Sequence, residues 1–81
     1  MTNDEIKSIT MGQFFRQIDD NLFECTGTLG FMNGIPQFFV MRNIRTGDSF
    51  KYDIYDVKYT FARVQEEEEI KTIKVLYGSQ R

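Results

Sequence analysis

This chain has no histidine, no tryptophan, one cysteine and one proline among its 81 residues. Each shortage excludes something. Without histidine there is no Ser-His or Cys-His nucleophile system. One thiol forms no internal disulfide. Together the two absences exclude a closed zinc site, which wants four nitrogen or sulfur ligands. The longest strictly apolar run, Phe38-Phe39-Val40-Met41, is far too short to cross a bilayer. The first residues, MTNDEIKSIT, have no apolar core of the kind a secretory leader needs. With a lone cysteine, this predicts a reducing, cytoplasmic setting. Gly27-x-x-Gly30-x-x-x-Gly34 is neither a dinucleotide fingerprint nor a Walker loop.

What is present is aromatic. Eight phenylalanines and four tyrosines supply large buried areas to a domain too small for a deep core. A chain of this length is one domain, and without staples it needs a dense core or a partner subunit. The formal net charge is −2, which argues against a general nucleic-acid coating protein. The charge is uneven: residues 1–34 hold two basic and five acidic groups, residues 35–64 five and three, residues 65–81 three and four.

The pattern along the chain predicts an α+β domain. Thr2-x-x-Glu5 fits a capping box or, equally, the approach to a short edge strand over 5–8. Thr10-x-x-Gln13 repeats the capping spacing. It precedes Met11, Phe14, Phe15 and Ile18 at i, i+3, i+4, i+7, which predicts a helix over about 11–20. Period-two patterning then predicts strands over about 22–29, 37–44, 49–54, 57–64 and 70–77. Asn33-Gly34 is a turn signal, and Gly27 within a strand marks a bend or bulge. Strand 37–44 is apolar on both faces, with Phe38, Val40 and Ile44 on one and Phe39 and Met41 on the other. In SFKYDIYDVKYTFARV, residues 49–64, the apolar phase flips at Ile54-Tyr55, which predicts a sharp corner at Tyr55-Asp56. Glu66–Glu69 reads as a solvated acidic loop.

One helix followed by about five short, mostly antiparallel strands describes a small bent sheet or barrel. In outline this resembles the SH3-like and Sm-like small barrels. The resemblance is topological, and it implies a fold and a possible RNA- or nucleotide-binding use without assigning any residue. Short, acidic, aromatic-rich chains of this style are also similar to small accessory proteins of bacteria and their phages, including inhibitors of host systems.

Candidate functional residues fall into two groups. Arg42, Arg45, Lys51, Tyr55, Lys58 and Tyr59 form a basic-aromatic belt, the residue types that stack and neutralise nucleotides or single strands. Phe31 and Met32 in a turn, with Phe39 and Met41 on the two-faced strand, are the candidate protein interface, for a partner protein or a second copy of the chain. Cys25 reads as a small buried hydrophobe. The carboxylate pairs Asp19/Asp20 and Asp53/Asp56 read as a helix end and a turn. The expectation is a non-enzymatic binding module without metal or cofactor, self-associating, that binds a host protein or sequesters a ligand. An RNA- or nucleotide-binding protein is the alternative.

Overall fold

The computed structural model describes residues 1–77. The chain opens with α1 (Asn3–Lys7), one turn long and held by the capping box: the Glu5 N–H donates to Thr2 Oγ1 and the Thr2 N–H to Glu5 Oε1. Those bonds, the Thr2 backbone one first, hold the Glu5 carboxyl below its ordinary range. Ile6 is the residue α1 buries.

No helix covers 11–20. Gly12 takes φ +91°, a left-handed conformation that stops a helix as it starts and that residues with a Cβ rarely adopt. Half of the second capping pattern does form, as Gln13 Oε1 accepts from the Thr10 N–H, but it closes a turn. The chain then extends into strand β1 (Phe14–Gln17). Phe14 and Phe15 are both buried, in different clusters, because a strand sends adjacent side chains to opposite faces. Met11 and Ile18, the other half of the supposed helical stripe, stand in solvent. A tight turn through Asp20 (φ 67°) leads into β2 (Leu22–Leu29).

β2 pairs antiparallel with β3 (Phe38–Asn43), and the register slips between Cys25 and Gly27. Thr26 is the extra residue of this bulge, and its hydroxyl donates to the Val40 carbonyl. The β2–β3 connection is pinched by mutual backbone bonds between Met32 and Ile35 around Asn33-Gly34. β4 (Ser49–Asp53) pairs with β3.

The predicted strand over 57–64 is corrected to a helix and a short strand. Asp53 Oδ1 accepts from the Asp56 N–H at 2.8 Å and caps α2 (Ile54–Thr60). The phase flip at Ile54-Tyr55 is a change of period: Ile54, Val57 and Phe61 are spaced i, i+3, i+7, and all three join one core cluster. β5 is only Phe61–Arg63.

The predicted last strand is also a helix, α3 (Glu67–Tyr77). Ile73, Val75 and Tyr77 alternate, but Ile70, Ile73 and Tyr77 make the stripe that packs, while Val75 is 79% exposed. Glu67, Glu68 and Glu69 are the first turn of this helix, where carboxylates meet the positive end of the dipole. The acidic loop is thereby reduced to Glu66.

The five strands form one antiparallel sheet in the order β4-β3-β2-β1-β5. It is bent but not closed, since β4 and β5 are its two edges. α1 and α2 cover the front face over Phe15, Phe23, Cys25, Phe39, Met41 and Phe61. Tyr52 from β4 and Phe61 from β5 meet there edge to face at 5.1 Å, both against Phe23. α3 covers the back over Phe14, Leu22, Ile44 and Val64. Beneath that side Glu24 is buried and paired with Arg42 Nη2 at 3.0 Å.

Candidate functional site

The basic-aromatic belt does not stay together. Arg42 lies on the back face and is engaged by Glu24. Lys51 is also on the back, its Nζ 4.9 Å from the centroid of the Phe38 ring. Arg45 sits in the β3–β4 turn, where its guanidinium donates to Asn21 Oδ1 at 3.2 Å. The remaining three share α2. Tyr55 and Tyr59 are one helical turn apart, which puts them on one face, and they are 69% and 70% exposed. Lys58 lies between them in sequence, with Nζ 5.7 Å from the Tyr59 ring centroid and 3.3 Å from Asn3 Oδ1.

The helix shows this face because its other face is committed. Val57 is fully buried, and the Met1 amino group donates to the Lys58 carbonyl, tying the helix to the start of α1.

Beside Tyr59 the surface continues along the outer edge of β5 as an open groove of about 430 Å³. Its walls include Arg16, Ile18, Tyr59, Ala62, Gln65 and Glu69. Ile18 is 83% exposed. Arg16 is paired with Glu69 and with Asp20; Arg63 is the second cation of the lining, and with Glu66, Glu67 and Glu68 beside it the α3 end of the groove carries more carboxylates than cations. The site thus combines two tyrosines, an exposed isoleucine and an open strand edge.

The candidate interface residues divide as well. Phe39 and Met41 have no exposure and belong to the front core, which corrects their placement at a surface. The residues of the same strand that reach outward are Phe38 and Val40. Phe31 and Met32 are exposed, at 63% and 62%, on the leading side of the Asn33-Gly34 turn that follows Leu29. Leu29, Phe38 and Val40 lie on the half of the back face that α3 leaves uncovered. Gly30 (φ +70°) is held to glycine there, because a Cβ would come within 2.9 Å of the Phe38 ring.

Groups with reactive chemistry are not gathered in this site. Cys25 is buried, and desolvation raises its thiol above the ordinary value despite a bond to the Gly27 carbonyl. Burial likewise raises the Tyr52 phenol. Among the described residues no group of three or more Cys, Asp or Glu is placed to hold a metal ion, and no helix is long and apolar enough to cross a membrane. The chain matches no protein-family model, no curated protein and no solved structure.

Tyr55 and Tyr59 carry a signal the sequence does contain. Asp53-x-x-Asp56 is an N-cap pattern, and it places the tyrosines at i, i+4 on the face away from Val57. Ile18 was hidden by the helical spacing it shares with Phe14 and Phe15.

Proposed function

We propose that this domain is a non-enzymatic module that binds another polypeptide on its α2–β5 surface. The observation that carries the reading is the pair Tyr55 and Tyr59, held in solvent one turn apart beside Ile18 and the open edge. Tyrosine is enriched at the centres of protein interfaces because it offers apolar area and a polar tip at low entropic cost. Nothing in the fold of α2 requires these rings, since Ile54 and Val57 already supply its buried face. An accessory or inhibitory role toward a host protein, in a reducing cytoplasm, suits a domain of this size with one inert thiol.

The test is capture from host lysate with the wild-type chain and with a Tyr55→Ala/Tyr59→Ala double variant. A polypeptide retained by the first and lost by the second, with unchanged melting, is the expected result. Equal capture by both sinks the reading. So does loss of a nucleic acid alone, in a salt-dependent manner, which would favour the RNA alternative through Tyr55, Lys58 and Tyr59.

A second reading, self-association, is favoured by the uncovered back face. Leu29, Phe38 and Val40 lie on it next to the exposed Phe31-Met32 turn. Sedimentation equilibrium should then show dimers or larger species that a Phe31→Ser/Met32→Ser variant weakens. A strict monomer at high concentration removes this reading and leaves the first in place.

A further inference from the structure

Resting on the polypeptide-binding reading above, we infer that the partner enters as an added β-strand along β5, and that this strand is extended and basic. The phase of the ladder sets which backbone groups are offered. The Val64 N–H donates to the Phe14 carbonyl at 2.9 Å, and Phe15 faces Arg63 while Gln17 faces Phe61. In antiparallel pairing alternate residues turn both backbone groups to the same neighbour. Residues 62 and 64 therefore serve β1, and residues 61, 63 and 65 point away from it. The Phe61 N–H is taken by the Val57 carbonyl at the end of α2. Left along the outer edge, among the described residues, are the Phe61 carbonyl, both backbone groups of Arg63 and the Gln65 N–H. That is one short ladder, the recognition element used when a peptide extends a sheet.

The surroundings say what kind of strand fits. The groove runs beside this ladder, with Ile18 and Tyr59 as apolar seats and the small side chain of Ala62 leaving room between them. The groove is lined by Arg16, Arg63, Glu66 and Glu69. Arg16 is paired with Glu69 and Asp20, Arg63 reaches across to Ser8 Oγ, and Glu67 and Glu68 follow Glu66, so basic residues of an added segment are favoured at the α3 end of the edge and away from Arg63. Arg63 disfavours a second copy. A two-fold pairing of β5 with itself, centred on Arg63, sets one Arg63 against the other, and like charges directly opposite are destabilising. The β4 edge differs. Its outward residues are Ser49, Lys51 and Asp53, with Asp53 already used as the α2 cap, and an edge lysine discourages strand addition.

The experiment uses the whole chain, isotope-labelled, and synthetic end-blocked peptides of about seven residues alternating lysine and valine, the length a short edge can engage. One control peptide has glutamate for lysine. Another carries N-methyl groups on alternate backbone nitrogens. The lysine peptide should slow exchange of the Arg63 and Gln65 amides, and the N-methylated and glutamate peptides should bind at least about tenfold more weakly. Arg63→Pro removes an N–H that β1 does not use, at an edge position where proline is tolerated. It should weaken binding about tenfold, while Arg63→Gln stays within about threefold of wild type.

Equal binding of the N-methylated peptide overturns strand addition, and it does so on wild-type protein even if the proline variant fails to fold. So does binding that Tyr59→Ala removes but Arg63→Pro leaves alone, and in that case the tyrosine surface still stands as the docking site. A dimer that Arg63→Pro dissociates overturns it too, by showing that a second copy occupies the edge.

Discussion

Phe15, Phe23, Phe39 and Met41 lie under two helices on the front of the sheet, in a single cluster with α1 and α2. On the back, Phe14, Leu22, Ile44 and Val64 lie under α3 alone, and Phe38 and Val40 are only half-buried. The same five strands therefore have one filled face and one half-filled face. Aromatic rings interlock across the front, whereas the back holds its polar element, the Glu24–Arg42 pair, opposite Phe14 and beside aliphatic side chains. Stability should be concentrated at the front, and substitutions on the back should be absorbed more easily, because a half-covered site can collapse around a deletion.

The largest test is Phe15→Ala. This ring has no exposure, and its loss should cost about 4 kcal/mol, measured by urea denaturation. Arg42→Met should come next, at about 2 kcal/mol, because it removes the cation hydrogen-bonded to the buried Glu24 carboxylate. Most of that loss should be recovered when Glu24→Leu is added, and a double variant no better than the single would show that the pair matters for more than its charge. Ile73→Ala, on the back under α3, should cost about 2 kcal/mol. If it costs more than Phe15→Ala, the ranking of the two faces is wrong.

A smaller effect comes from pH. The Cys25 thiol and the Tyr52 phenol both titrate higher in the folded chain than when exposed, mainly because burial disfavours their charged forms. Between the two values the unfolded chain binds fewer protons, so stability should be full below the ordinary thiol range and should fall as pH rises through it. Replacing Cys25 by alanine should flatten the start of that fall in alkaline melting curves. Tyr55→Ala and Tyr59→Ala should each change stability by less than about 0.5 kcal/mol, and a larger loss would mean that these rings are structural.

Much of the sheet was legible from period two. β2, β3 and β4 have turn chemistry at their ends, and Gly27 marks the bulge. The helices were harder, for a shared reason. A strand buried on both faces has apolar neighbours, so Phe14-Phe15 imitates a helical stripe once Met11 and Ile18 happen to fall at helical spacing. The converse error arose in α3, where exposed Val75 completes a false alternation with Ile73 and Tyr77. In both places the deciding information was tertiary: which of several spaced residues meets a neighbour. For the candidate site, the residues of the belt were close in sequence, but a sheet separates neighbours by face. Only the part carried by one helix, Tyr55, Lys58 and Tyr59, stayed together. Phe31 and Met32 were legible because an Asn-Gly turn leaves its flanks no core to enter.

The strand order has a consequence for how the fold is reached. β1–β2, β2–β3 and β3–β4 are pairings between neighbours in the chain, but β1 and β5 are joined across most of it, Phe15 opposite Arg63. Closing so long a loop is the slow step when non-local contacts must wait for chain entropy to be overcome. The four-stranded meander should assemble first and β5 dock afterward, with α2 as its tether. Native-state hydrogen exchange should then find the Val64 amide opening before that of Met41, at a free energy below global unfolding. A three-residue strand that arrives last and leaves first is an unfinished edge, and whatever chain segment completes it would also clamp the end of the fold.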